Sequence, residues 1–195
     1  MSETITLDAN KLKDLVEQEK DLEIISANIK DLYCNYGYEL LTGRNIGDVI
    51  PNRKGAHLIH DDLKEAFSEM DVFLAHIDGA YNSWSNNQTA IQELEAHEDL
   101  ANYYVSAMKI TGVEENKAIV ISGTKTTVHG DISFSTPKIK LQSTYLYIEE
   151  LELRIATLIS EVEQYMDGKR APEFEQLDMG FDDVEEANFD EAKVN

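Results

Sequence analysis

Two imidazoles and two carboxylates fall within six residues at His57, His60, Asp61 and Asp62. Metal sites use these ligand types, and an adjacent His-Asp pair also serves metal-dependent phosphohydrolases. That chemistry needs a further histidine well upstream, and none precedes His57. It also needs a distant aspartate, for which Asp78 is the candidate. The competing assignment is a loop carrying the histidines, followed by a helix capped by Asp61 or Asp62. Cys34 is the single cysteine and has no histidine near it in sequence. It reads as a small core residue rather than a nucleophile. There is no G-x-S-x-G elbow and no phosphate-binding glycine loop; Ser122-Gly123-Thr124-Lys125 lacks the second glycine. Carboxylate pairs such as Glu93/Glu95, Glu149/Glu150 and Asp182/Asp183 are what 38 acidic residues produce on solvated faces. These patterns predict a protein that is not an enzyme and has no cofactor or resident metal.

Binding chemistry is more legible. The chain of 195 residues carries 38 acids against 17 Lys and Arg, a net charge of -21. That excludes a general duplex-DNA binder, which would present a basic face. The charge is uneven, however. Residues 103–143 hold five lysines and three acids, a mildly basic island in an acidic molecule. Lys109, Lys117, Lys125, Lys138 and Lys140 lie there, with Tyr103, Tyr104, Phe134 and Tyr145 among or beside them. Sheets with lysines and exposed aromatics hold single-stranded nucleic acid, rings stacking on bases while ammonium groups follow phosphates. The predicted interface is Lys109, Lys117, Lys125, Lys138, Lys140 and Tyr103. The alternative is that the lysines guard strand edges and the aromatics are core. Residues 171–195 form an acidic tail, with nine acids and one lysine. Phe174, Leu177, Phe181 and Val184 recur in it at spacings of three and four. Alone the tail buries too little to fold and is expected to be disordered; in a partner's groove those residues would form one apolar face.

The elements that must position these groups follow from periodicity. Leu15, Leu22, Ile29 and Tyr36 lie seven apart, with Ile25 and Leu32 between, which predicts a long helix from residue 8 to about 37. It would pack on its own domain or make a homo-oligomer through residues 15–36. Gly37, Gly43, Gly47, Pro51 and Gly55 then mark a linker carrying Arg44, Arg53 and Lys54. A helix is predicted over 61–85 from Leu63, Phe67, Met70, Leu74, Ile77, Tyr81 and Trp84, and a shorter one over 89–102. Residues 103–111, 117–125 and 131–136 read as a three-stranded antiparallel meander. A last helix over 144–166 has Leu146, Leu151, Ile155, Leu158, Ile159, Val162 and Tyr165 as its buried stripe. The expected fold is α+β: a three-stranded meander packed with helices, a long N-terminal helix and a disordered acidic C-terminal tail. The expected division is an arm and linker over 1–60, a core over 61–170 and the tail over 171–195. No apolar run approaches the roughly 18–20 residues of a membrane span, and the N-terminus lacks a signal-peptide pattern. A soluble, cytoplasmic protein with no membrane partner is expected.

The stretch Met108–Lys125, continuing through Ser135-Thr-Pro-Lys-Ile139, resembles a segment of small proteins encoded by phages and prophages. The similarity spans about residues 71–168. Those proteins have no established activity, so the resemblance transfers no functional residue. It implies a phage origin and a bacterial host cell. A meander followed by a long helix also resembles the core of phage single-strand annealing proteins. Acidic tails of this kind are familiar on single-strand DNA-binding proteins, although this one ends in Val194-Asn195 instead of phenylalanine. Together these features predict an accessory protein of phage DNA replication or recombination. It would bind or anneal single-stranded DNA through the Lys/aromatic sheet surface and recruit a DNA-processing protein through its tail. The alternatives are an acidic DNA mimic that inhibits a host protein, or a structural, oligomeric interaction protein.

Overall fold

Residues 21–172 are described by a computed structural model of the chain. The first part of the expected N-terminal helix lies outside the described residues. So does the acidic tail from residue 173 on, with Phe174, Leu177, Phe181 and Val184.

The described heptad residues do not form a helix. Leu22–Lys30 is a strand, β1, and Tyr33–Leu40 is a second, β2, paired antiparallel with it. The turn between them is Asp31-Leu32, and Asp31 adopts a left-handed conformation at φ 58°. Aspartate tolerates that region better than most residues do. No glycine or proline marks this turn, so the sequence shows no break there. The seven-residue spacing has a different origin. Ile25 is a β-bulge, an extra residue in β1 opposite the step from Tyr38 to Gly37. A bulge shifts the side-chain alternation by one, so Leu22, Ile24, Ala27 and Ile29 share one side and meet the core. Residues 22–36 therefore offer no helix through which a coiled coil could form.

The glycine-rich segment contains a third strand, β3, Val49–Lys54, paired with β2. Pro51 and Asn52 together oppose Gly37 in a second bulge, a place on an edge strand that suits proline. The crossing is close: a β-carbon on Gly37 would lie 2.5 Å from the Pro51 carbonyl oxygen. Gly37→Ala is therefore expected to destabilise the fold by about 1–3 kcal/mol through overpacking. Urea unfolding measures this, and an unchanged midpoint would mean that β3 is not held against β2 there.

The expected helix over 61–85 is two helices, α1 at Asp61–Ser68 and α2 at Asp71–Asp78. Asp71 opens α2 by turning its carboxylate away, to the Val105 amide at 2.6 Å and the Ser68 hydroxyl at 3.3 Å. Gly79, left-handed at φ 86°, closes α2. A short helix α3, Ile91–Glu95, and a 3-10 turn, Glu98–Asn102, lead back to the sheet. There the expected meander forms as β4 Tyr103–Thr111, β5 Ala118–Thr127 and β6 Gly130–Ser135. A two-residue strand β7, Ile139–Lys140, joins β5 beyond β6. Helix α4, Ile148–Met166, ends the described chain.

The sheet thus has seven strands rather than three, in the order β3-β2-β1-β4-β5-β6 with β7 also on β5, all pairs antiparallel. Two meanders meet where β1 pairs with β4. Helices α1, α2 and α4 cover one face of this sheet. Ile24, Ala27, Cys34 and Tyr36 from the first meander, and Val105, Met108, Ile119 and Ile121 from the second, share a buried core with Phe67, Phe73, Leu74, Leu151 and Leu158. Each fully buried Leu or Phe contributes on the order of 1.5–3 kcal/mol. Residues 22–54 and 61–166 therefore belong to one sheet and one core. No helix among the described residues is long and apolar enough to cross a membrane.

Candidate nucleic-acid interface

Among the described residues no helix covers the second face of the sheet, and its side chains follow from the register. One row crosses six strands: Lys54, Asn35, Asn28, Ala107, Ser122 and Ser135. At about 4.8 Å per strand this row is roughly 24 Å long. The next row holds Gly37, Ser26, Lys109 and Val120. On the other side of the first row lie Tyr33 opposite Lys30, and Tyr104 opposite Thr124. Tyr104 is 54% exposed and Tyr33 43%, enough to leave ring faces for stacking. Lys140 extends the face on β7, opposite Ala118. A face of serine, threonine, asparagine and lysine is what water or a polar ligand can cover, and it suits a side on which no described element packs.

Four cations beside the helices are neutralised, whereas Arg53, opposite Tyr36 in the sheet, makes no ion pair among the described residues. Lys125 meets Asp78 at 2.6 Å, Lys64 meets Asp61 at 2.8 Å, and Lys169 meets Asp62 at 2.6 Å and Glu161 at 2.7 Å. Arg154 joins Glu69 and Glu95. On the open face Lys30, Lys54, Lys109 and Lys140 make no ion pair among the described residues. The acids of that face, Glu23, Glu39 and Asp131, sit near strand ends. Glu23 is held by Lys117. An acidic protein thus keeps a sheet face on which Lys109 is central and Lys30, Lys54 and Lys140 stand at strand ends, none of them ion-paired among the described residues.

The residues expected to form the interface are distributed unequally over this geometry. Lys109 is central to the open face, and Lys138 and Lys140 are exposed at its β7 end. Lys117 is bound to Glu23 and is only half-exposed. Lys125 and Tyr103 oppose each other on the helix-covered side. Tyr103 is buried and donates its hydroxyl to Asp78 at 2.6 Å, while the Lys125 ammonium lies 5.1 Å from the centre of its ring. The hydrogen bond to Asp78, then the one to Tyr103, raises the Lys125 pKa. That cluster ties α2 to the sheet and does not face outward. Lys30, Lys54, Tyr33, Asn28 and Asn35 belong to the open face and were missed, since their strands lay in a stretch read as helix and linker. Tyr104 is the exposed neighbour of the buried Tyr103.

The His/Asp cluster is structural. His60 caps α1, its Nδ1 accepting from the Asp62 amide at 3.2 Å. His57 offers its carbonyl to the Tyr165 hydroxyl, and Asp62 is taken up by Lys169. No group of three or more His, Cys, Asp or Glu among the described residues is placed to hold a metal ion. Cys34 is buried on the helix-covered side, and burial pushes its thiol up to about 12. The native thiol is therefore expected to resist a disulfide-exchange reagent at pH 8 and to react fully in denaturant. Rapid stoichiometric labelling of the native chain would overturn that assignment.

The chain matches no model of a protein family, no curated protein and no solved structure. Its functional reading rests on the geometry of the open face.

Proposed function

We propose that this protein binds single-stranded nucleic acid on the open face of its sheet and catalyses no reaction. One observation carries the reading: apart from Lys117–Glu23 the lysine and arginine ion pairs of the described residues gather on the helical side, while Lys30, Lys54, Lys109 and Lys140 make no ion pair among the described residues, on a face that no described helix covers and that also presents Tyr33 and Tyr104. Ammonium groups would follow the phosphates and the two rings would stack on bases. The six-strand width, roughly 24 Å, accommodates several nucleotides of an unpaired strand.

The net charge of -21 opposes approach of a polyanion from far away. It does not decide the bound state, because charges beyond about 8–10 Å are screened at physiological salt. Within that range the local lysines dominate. Affinity is therefore expected to be modest and to fall steeply with salt. The resemblance over residues 71–168 favours a role in phage DNA replication or recombination. In that setting Phe174, Leu177, Phe181 and Val184 of the acidic tail would engage a DNA-processing protein. The test is fluorescence anisotropy of a labelled single-stranded oligonucleotide with the full chain, titrated at low and moderate salt. Salt-sensitive saturation supports the reading. Absence of binding at the lowest salt overturns it, and a pull-down against basic host proteins would then test the DNA-mimic reading.

A further inference from the structure

The open face is not uniformly flat. Three bulges fall on neighbouring parts of it: Ile25 in β1, Pro51-Asn52 in β3 and Ser106 in β4. Bulges bend strands and re-aim side chains, and they concentrate beside functional sites. The first two border a hollow of about 560 Å³ between β3 and Lys109, within the range that takes a small ligand. Ile25, Val49 and Pro51 give it apolar walls, and Asn28, Asn35 and Asn52 give it three amides. None of those amides has a hydrogen-bond partner among the described residues. Ser26 is already committed, donating to the Pro51 carbonyl at 3.4 Å. Lys109 closes one side with no counter-ion.

We infer that this hollow receives one base of the bound strand and selects adenine. The inference rests on the reading that the open face binds single strands, and adds sequence preference to it. An asparagine amide presents an acceptor and a donor side by side, the complement of the N6 and N7 edge of adenine. The apolar walls suit the faces of the flat ring. Lys109 stands where the phosphate attached to that nucleotide can be neutralised. Stacking and charge alone would bind every sequence alike; unpaired amides in a hollow wide enough to admit a base give a reason for discrimination.

The experiment compares a short labelled oligo-dA with an oligo-dT of equal length, using the full chain and its Asn28→Ala, Asn35→Ala and Asn52→Ala variants. Circular dichroism checks that each variant keeps its fold, and Asn52 lies on the edge strand, where truncation disturbs least. The expected result is about tenfold tighter binding of oligo-dA by the wild-type chain. Asn35→Ala or Asn28→Ala should bring the oligo-dA affinity down to that for oligo-dT, weakening oligo-dA about tenfold more than oligo-dT. Equal affinity of the wild type for both oligomers overturns the inference while the strand-binding reading stands. A preference for oligo-dA that survives all three substitutions also overturns it, since the preference then comes from elsewhere. Failure to bind either oligomer at low salt removes both readings together.

Discussion

The double variant Lys54→Glu/Lys109→Glu should bind a single strand about a hundredfold more weakly than the wild type at low salt, whereas Lys125→Gln should bind as well as the wild type. The contrast is the point, because Lys109 and Lys125 sit in adjacent strands, on opposite sides of the sheet. Lys54 and Lys109 are three strands apart on the open face, roughly 14 Å across the ladder, without counter-ions among the described residues. Reversing both removes two phosphate contacts and adds two repulsions, one at the edge strand and one at the centre of the footprint. Lys125 is held between Asp78 and the Tyr103 ring on the helical side, so neutralising it disturbs only a structural tie. The neutral pair Lys54→Gln/Lys109→Gln separates charge from shape. It should lower the slope of log affinity against log salt by about 1.4, the value for two single-strand phosphate contacts. Anisotropy titrations over a salt series measure both quantities. Equal losses at Lys54/Lys109 and at Lys125 would show that the open face has no special role.

That contrast also shows how far the sequence could be read. The meander was legible because β4, β5 and β6 are β-rich runs separated by short glycine-containing turns. The α4 stripe was legible because Leu151, Ile155, Leu158, Val162 and Tyr165 keep helical spacing and are buried. The loop with a capped helix at His57–Asp62 was also legible, although the capping side chain proved to be His60. The β1–β2 hairpin was hidden for a physical reason. Its turn uses an aspartate in place of a glycine, and the bulge at Ile25 makes a strand imitate a heptad. The mistaken side of Lys125 had a signal in the sequence. It shares parity with Ile119 and Ile121, both fully buried, so a regular β5 must send all three toward the helices. Asp78 then supplies the counter-charge, but its position depends on where α2 ends. The Asn28–Asn35 row could not be derived at all, because it exists only through pairing of strands set by two bulges.

Asp71→Asn should gain stability on the wild type by roughly 2–3 kcal/mol as the pH rises from 5 to 8. The Asp71 carboxyl is 7% exposed and ordinarily titrates near 3.8; burial pushes it up to about 7, against the opposing pull of the Val105 amide and the Ser68 hydroxyl. The unfolded chain loses this proton near pH 4 and the folded chain keeps it to near pH 7. Between those values the folded state binds more protons, so stability falls as the pH rises and levels off once both states are ionised. Asparagine keeps an oxygen for the Val105 amide but cannot ionise, so its contribution does not change with pH. The two chains share every other titratable group, so the difference between them isolates Asp71. The measurement is urea unfolding of both proteins at pH 5, 6.5 and 8. A constant difference across that range would mean that Asp71 is already ionised in the fold at pH 5. The bond from Val105 would then outweigh burial, and the contact that sets the break between α1 and α2 would be a carboxylate held by an amide.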